Sequence, residues 1–312
     1  MKVIKHIIFL LLFISFSTFA QEAESRSMDD IMNAENPERY KELNLNNRNL
    51  TKLPIEIGRF VNIEKLWLNY NNLQSLPIEL TKCTKLRELY VNNNLLVRFP
   101  IEIGKIPTLE KLEIQRNKIE YISPIIGKLI KLKKINFSSN KIENIPTETS
   151  TLVNVVELVL FDNKIKEIPV EIEFLKSLKK LDLEKNLLIS LPQQIGNLSN
   201  LAFLNIKNNK ITALPAEFGS LTDLYFLDVE KNQISKFPKE LCALNKLVSL
   251  DLDNNLFKTL PKEITNFVVL KELYLGVNPW VNFPEETLPF LEKLEFGQSE
   301  NVRKLVKIKI KV

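Results

Sequence analysis

Six acidic residues carry most of the chemistry available to this 312-residue chain. They form three pairs at one spacing: Asp182/Glu184, Asp228/Glu230 and Asp251/Asp253, with Lys207 between the first pair and the second. Residues two apart on an extended strand point to the same side. Carboxylates gathered on one side are what acid/base chemistry on a glycan would use, or a Ca²⁺ ion, which takes several oxygen ligands. The same pattern also serves as a solvated polar face or an electrostatic patch for a basic partner. The pairs repeat regularly and no loop converges on them, which favours the plainer readings. The only histidine is His6, so downstream of it every Ser-His or Cys-His nucleophile and every imidazole metal site is excluded. Of seven glycines, five (Gly58, Gly104, Gly127, Gly196 and Gly219) serve one recurring position, and no phosphate-binding glycine loop occurs. The expectation is a protein that is not an enzyme, with no catalytic residue, no metal and no cofactor.

Apolar side chains occupy the same kind of position. Trp67 and Tyr90 are equivalent residues on successive segments, with Tyr70 beside them; Val159 and Phe161 share a segment; Phe203 and Phe226 are again equivalent; Tyr274 stands near the end. Aromatic residues are costly to leave exposed in clusters and are over-represented where proteins bind. Trp67, Tyr70, Tyr90, Val159, Phe161, Phe203 and Phe226 are therefore candidate binding residues, together with the six carboxylates.

The element that must position all of these is one phrase repeated every 23 residues. Its centre is apolar-x-apolar, from Leu43/Leu45 and Leu66/Leu68 through Leu250/Leu252 and Leu273/Leu275, eleven copies in one register. The alternation has period two and reads as a short strand with two inward residues. Three residues after the second apolar position stands Asn: Asn71, Asn94, Asn117, Asn140, Asn163, Asn186, Asn209, Asn232, Asn255 and Asn278, with Arg48 in the first copy. A buried amide must find partners, so these ten predict a ladder in which each Asn bonds the backbone of a neighbouring coil. A proline follows the next apolar residue in most copies, as at Pro54, Pro77 and Pro100, and starts an outer segment too short for more than a turn or two of helix.

In this pattern the chain resembles the leucine-rich repeat family, in its 23-residue form L-x-x-L-x-L-x-x-N-x-L-x-x-L-P-x-x-I. The resemblance implies an α/β fold: a curved solenoid with a parallel β-sheet on the concave face and short helical or 3₁₀ turns on the convex face. It also implies recognition of a protein or peptide on the concave face. A runner-up is binding of an envelope or host glycan, with Trp67, Tyr70 and Tyr90 as stacking platforms beside Asn46, Asn69 and Asn92. A remote alternative is a carboxylate-dependent glycan-cleaving enzyme on the acidic stripe.

Four segments are expected. Residues 1–20 read as a signal peptide, with Lys2 and Lys5 before an apolar run and Thr18-Phe19-Ala20 as cleavage motif, so the chain is expected to be exported to the periplasm or cell exterior, with no stable membrane insertion afterwards. Residues 21–39 form an N-terminal cap, in which Ser27 caps a helix from Met28 to about Ala34 and Ile31 and Met32 cover the first coil. Residues 40–296 are the array, about eleven repeats plus a degenerate terminal coil closed by Trp280, Phe283, Leu288, Phe290, Leu291, Leu294 and Phe296. Residues 297–312 are a basic tail. The fourth copy has Ser123 where proline belongs and the fifth has Thr149 at an outer apolar position, which predicts a local change of curvature near residues 120–155. The formal charge is +5. Without Lys2, Lys5 and the tail the body comes to about −1, and a near-neutral body argues against nucleic acid as partner. Cys83 and Cys242 lie seven coils apart, roughly 34 Å, and cannot pair. Cys83 reads as a buried hydrophobe, Cys242 as a residue nearer the surface and open to reaction.

Overall fold

The computed structural model describes residues 27–294. The signal peptide, the start of the cap, Phe296 and the basic tail lie outside them. Eleven three-residue strands form one parallel sheet in sequence order: β1 (Glu42–Asn44), β2 (Lys65–Trp67), β3 (Glu88–Tyr90), β4 (Lys111–Glu113), β5 (Lys134–Asn136), β6 (Glu157–Val159), β7 (Lys180–Asp182), β8 (Phe203–Asn205), β9 (Phe226–Asp228), β10 (Ser249–Asp251) and β11 (Glu272–Tyr274). Each residue pairs with the one 23 places on, so Leu43, Leu66 and Leu89 lie side by side and the row continues to Leu273. The inward residues of all coils join one continuous apolar core, in which Leu66, Leu68, Leu204 and Leu250 are completely buried. This is the parallel-sheet solenoid that the repeat predicts.

The prolines start outer turns of 3₁₀ helix, such as Ile55–Arg59 and Val170–Phe174, because proline supplies the fixed φ and needs no hydrogen-bond acceptor. The recurring outer glycine admits the next coil: a Cβ on Gly196 would stand 2.4 Å from the Glu217 carbonyl oxygen. At the start of the described chain, helix α1 (Met28–Met32) is capped by the Ser27 side chain, which accepts from the Asp30 amide, and it places Ile31 and Met32 in the core. The helix stops two residues short of the expected Ala34. At the far end, helix α2 (Leu288–Lys293) buries Leu288 and Leu291. Trp280 stacks on Phe257 at 6.0 Å, touches Phe283 and donates its indole N–H to the Leu275 carbonyl.

The two irregular copies keep the register, with Lys134 opposite Glu157. Ser123 replaces the missing proline as a cap: its hydroxyl accepts from the Ile125 amide, and Pro124 becomes the first residue of the turn. Thr149 is buried, and its hydroxyl donates to the Pro146 carbonyl at 2.8 Å. A shorter polar side chain in an apolar layer leaves a cavity of about 10 Å³, lined among others by Ile126, Phe137, Leu152 and Leu175. The reading of Cys242 as a surface thiol is wrong. It is only 3% exposed, and burial, with Glu263 and Glu240 adding to it, pushes its thiol up to about 12. The next coil closes over this part of the array: a Cβ on the equivalent Gly219 would stand 2.6 Å from the Glu240 carbonyl oxygen. Cys83 is likewise buried, with its thiol at about 12 for the same reason.

Candidate binding surface

Beneath the outward face of the sheet runs the asparagine ladder. In each rung the Asn amide nitrogen donates to a carbonyl of the preceding coil and to one of its own, and its oxygen accepts an amide of the preceding coil. Asn163, for example, donates to the Phe137 and Leu160 carbonyls at 3.1 and 3.0 Å and accepts from the Ile142 amide at 3.0 Å. Asn71, Asn94, Asn117, Asn140, Asn186, Asn209, Asn232 and Asn255 repeat the pattern, and Asn278 ends it. The residue just before Arg48, and before each rung from Asn71 to Asn255, turns the chain with φ between 51° and 56°, from Asn47 and Tyr70 to Asn254. Tyr70, Arg116, Lys185 and Lys231 hold this left-handed conformation although it costs a side chain energy. Asn or Asp at Asn47, Asn93, Asp162, Asn208 and Asn254 is the signal that could have marked the position, and sequence reasoning missed it.

One amide per coil, three residues after the strand's central apolar residue, has no backbone partner in the sheet. The face solves this in two ways. In the first coils an Asn one coil back accepts it: Asn46 from the Asn69 amide, Asn69 from Asn92, Asn92 from Gln115. In later coils the residue two places earlier accepts it: Asp182 from Glu184, Asn205 from Lys207, Asp228 from Glu230, Asp251 from Asp253. Asn44 and Asn136 do the same for Asn46 and Ser138. Three of the six candidate carboxylates thus have a structural duty that their spacing alone did not disclose.

The acidic residues do come together. Oxygens of Asp228, Glu230 and Asp251 lie within 4.8 Å of one another. Asp228 is only 9% exposed, so the reading of a solvated polar face does not hold for it. Burial raises its carboxyl to about 6 and that of Asp251 to about 7, with the neighbouring carboxylates adding to the rise. Burial also raises Asp182 and Asp253. Glu230, held by Lys207 and Lys231, is lowered despite its burial. One oxygen of Asp253 is shut from solvent with no hydrogen-bond partner, lying where a Cβ on Gly276 would stand, 2.1 Å away. Glu184 accepts from the Asn205 amide group. Three carboxylates, one already bound to two lysines, fall well short of the six to eight oxygens that Ca²⁺ takes.

The aromatic candidates form two pairs across adjacent strands. Trp67 and Tyr90 stack at 5.6 Å and 10°, and Phe203 and Phe226 at 4.5 Å and 3°. Lys111 covers the other side of Tyr90 at 4.9 Å, and Lys180 lies over Phe203 at 5.5 Å. The rings therefore stand upright on the sheet, with faces against one another and edges toward solvent. Phe161 lies under Lys185 at 5.9 Å, Val159 is half-buried on β6, and Tyr70 projects at 57% exposure.

Comparison with known proteins agrees with this architecture. Family profiles described as "Leucine-rich repeat region", "Leucine rich repeat" and "Leucine Rich repeats (2 copies)" match residues 192–305, 107–165 and 61–101. A leucine-rich repeat protein of Leptospira interrogans superposes with a TM-score of 0.70 at 32% identity, over 84% of this chain and 75% of that one. The ectodomain of the Arabidopsis thaliana membrane receptor kinase GASSHO1/SCHENGEN3, in complex with CASPARIAN STRIP INTEGRITY FACTOR 2, superposes at 0.67 and 27% identity, over 79% of this chain and 33% of that one. An internalin of Listeria monocytogenes shares the fold, at 0.69 and 24% identity over 78% of this chain and 70% of that one. No curated protein matches the sequence. No helix among the described residues is long and apolar enough to cross a membrane.

Proposed function

The chain belongs to the leucine-rich repeat family, and we propose that it is an exported, non-enzymatic recognition module that takes a protein or peptide on the exposed face of its sheet. The observation that carries this reading is the upright stance of the two aromatic pairs. A sugar ring packs on the flat face of an aromatic side chain, and here both faces of Tyr90 and Phe203, and one face each of Trp67 and Phe226, are taken by a partner ring or a lysine. What remains is edges and grooves between rows, which suit the apolar side chains of a polypeptide. The side-chain oxygens that a glycan's hydroxyls would meet are also engaged, since Asn46, Asn69 and Asn92 each accept a backbone amide. Export rests on the apolar run before Ala20, and the protein partner on the family's use of this face.

Two double variants test the reading, Trp67→Ala with Tyr90→Ala and Phe203→Ala with Phe226→Ala. Each should lower the unfolding free energy by only about 1 kcal/mol, because the rings are stacked but not core. At least one should weaken capture of a partner from envelope or host extracts by about thirtyfold, while a convex-side Ile55→Ser should not. Capture that survives both double changes would remove the binding site from this face.

A further inference from the structure

We propose that the face of β8 to β10 receives a cationic peptide segment, with a lysine or arginine on Asp228, Glu230 and Asp251 and an apolar side chain two residues away on the edges of Phe203 and Phe226. This rests on the recognition reading above and names the chemistry of the partner.

The argument starts from what the fold requires. The unpaired amide after each strand needs an acceptor, not a charge, and the chain itself uses asparagine for the purpose at Asn44, Asn136 and Asn205. At Asp228 and Asp251 it places carboxylates instead, in surroundings that burial and each other make unfavourable. Packing gains nothing from that charge over the isosteric amide, so the charge answers to something outside the fold. The chain's own cations offset it only in part: Lys207 and Lys231 both pair with Glu230 and act on Asp228 and Asp253 only from a distance, and Asp228, Asp251 and Asp253 have no ion pair among the described residues. A metal ion would find too few oxygens.

The second half of the argument is the neighbourhood. Phe226 and Asp228 lie two apart on one strand and face the same way, about 7 Å from each other along the sheet. That is the repeat of an extended peptide, in which alternate side chains also share a side. An ammonium or guanidinium on the carboxylates therefore sets the next same-side residue over the phenylalanine pair. The opposite end differs in that the carboxylates beside its aromatic pair are already engaged: Glu88 accepts from the Tyr90 hydroxyl and Glu113 pairs with Lys111.

The probe is a short fluorescein-labelled peptide with phenylalanine and lysine two positions apart and serine between, read by fluorescence anisotropy against the full chain. Two twins replace lysine by glutamate or phenylalanine by serine. The lysine peptide should bind, and each twin should bind at least about tenfold more weakly. Asp228→Asn with Asp251→Asn keeps the acceptors and should cost about tenfold or more, whereas Trp67→Ala with Tyr90→Ala should cost nothing. Acidification of the unaltered chain from about pH 8 to about pH 5 should also weaken binding, since Asp228 and Asp251 take up protons while Glu230 and Lys207 keep their charge. That titration stands even if the double variant does not fold. Equal affinity for the glutamate twin, indifference to the two asparagines, or calcium binding by calorimetry with no peptide bound would each overturn the proposal. A partner captured through Phe203 and Phe226 yet indifferent to Asp228→Asn with Asp251→Asn would overturn it while leaving the recognition reading in place.

Discussion

The two ends of the sheet face solve one backbone problem with different side chains. Around β2 to β4 the spare amide of each coil is accepted by an asparagine one coil back, which links successive coils and fills that row with uncharged side chains. Around β7 to β10 it is accepted by an Asx side chain two residues earlier, which closes each coil on itself. That local solution makes room for Glu184, Lys207, Glu230 and Asp253 to project where the first half has its linking asparagines. One architecture thus carries an end whose acceptors of the spare amide are asparagines and an end where they are mostly carboxylates. The buried ladder beneath is the same for both.

The largest effect should be blind to the difference. Asn117→Leu in the first half and Asn209→Leu in the second each strip buried carbonyls and an amide of their partners, at Val91, Ile114 and Leu96 or at Leu183, Ile206 and Leu188. Each should cost about 3 kcal/mol or more by denaturant unfolding, given about 1–3 kcal/mol for each orphaned group. A clear inequality between them would mean that the halves differ below the surface as well as on it.

The next effect should separate the halves by pH. Asp228 and Asp251 titrate at about 6 and about 7 in the folded chain, far above the ordinary value of ~3.9 expected once unfolded. Between those values the folded state holds more protons, so stability falls as pH rises through the window. Asp251→Asn should therefore be neutral near pH 4 and stabilising by about 1–2 kcal/mol near pH 8, measured as the shift in unfolding free energy. No such gain is expected from changes in the amide half. Stabilisation that grew toward acid would contradict the burial of the carboxyl.

Smaller again is Asn69→Ala, which leaves the Asn92 amide without its acceptor and should cost about 1 kcal/mol at every pH near neutral. Hydrogen exchange at the Asn92 amide should accelerate, and unchanged protection would show that water replaces the side chain at little cost. The smallest is Thr149→Val, between the halves, which should gain a few tenths of a kcal/mol by filling apolar space without an added polar group. A loss instead would show that the bond to the Pro146 carbonyl matters more than the cavity.

The 23-residue period by itself determined the strand positions, the inward leucines, the outer turns and which residues share the exposed face, because each depends on spacing along one chain. The stacked pairs were legible as neighbours for the same reason: Trp67 stands one period before Tyr90, and Phe203 one before Phe226. Only the tertiary structure decided how those rings stand, since strands spaced for hydrogen bonding leave room for rings only face to face. It also decided that Cys242 is sealed, because closeness to the next coil is a property of stacking and not of residue type. The double role of Asp182, Asp228 and Asp251 was hidden for a similar reason. Their spacing marks them as a surface stripe, but the amide they accept is left over only once a parallel neighbour has claimed the rest of the backbone.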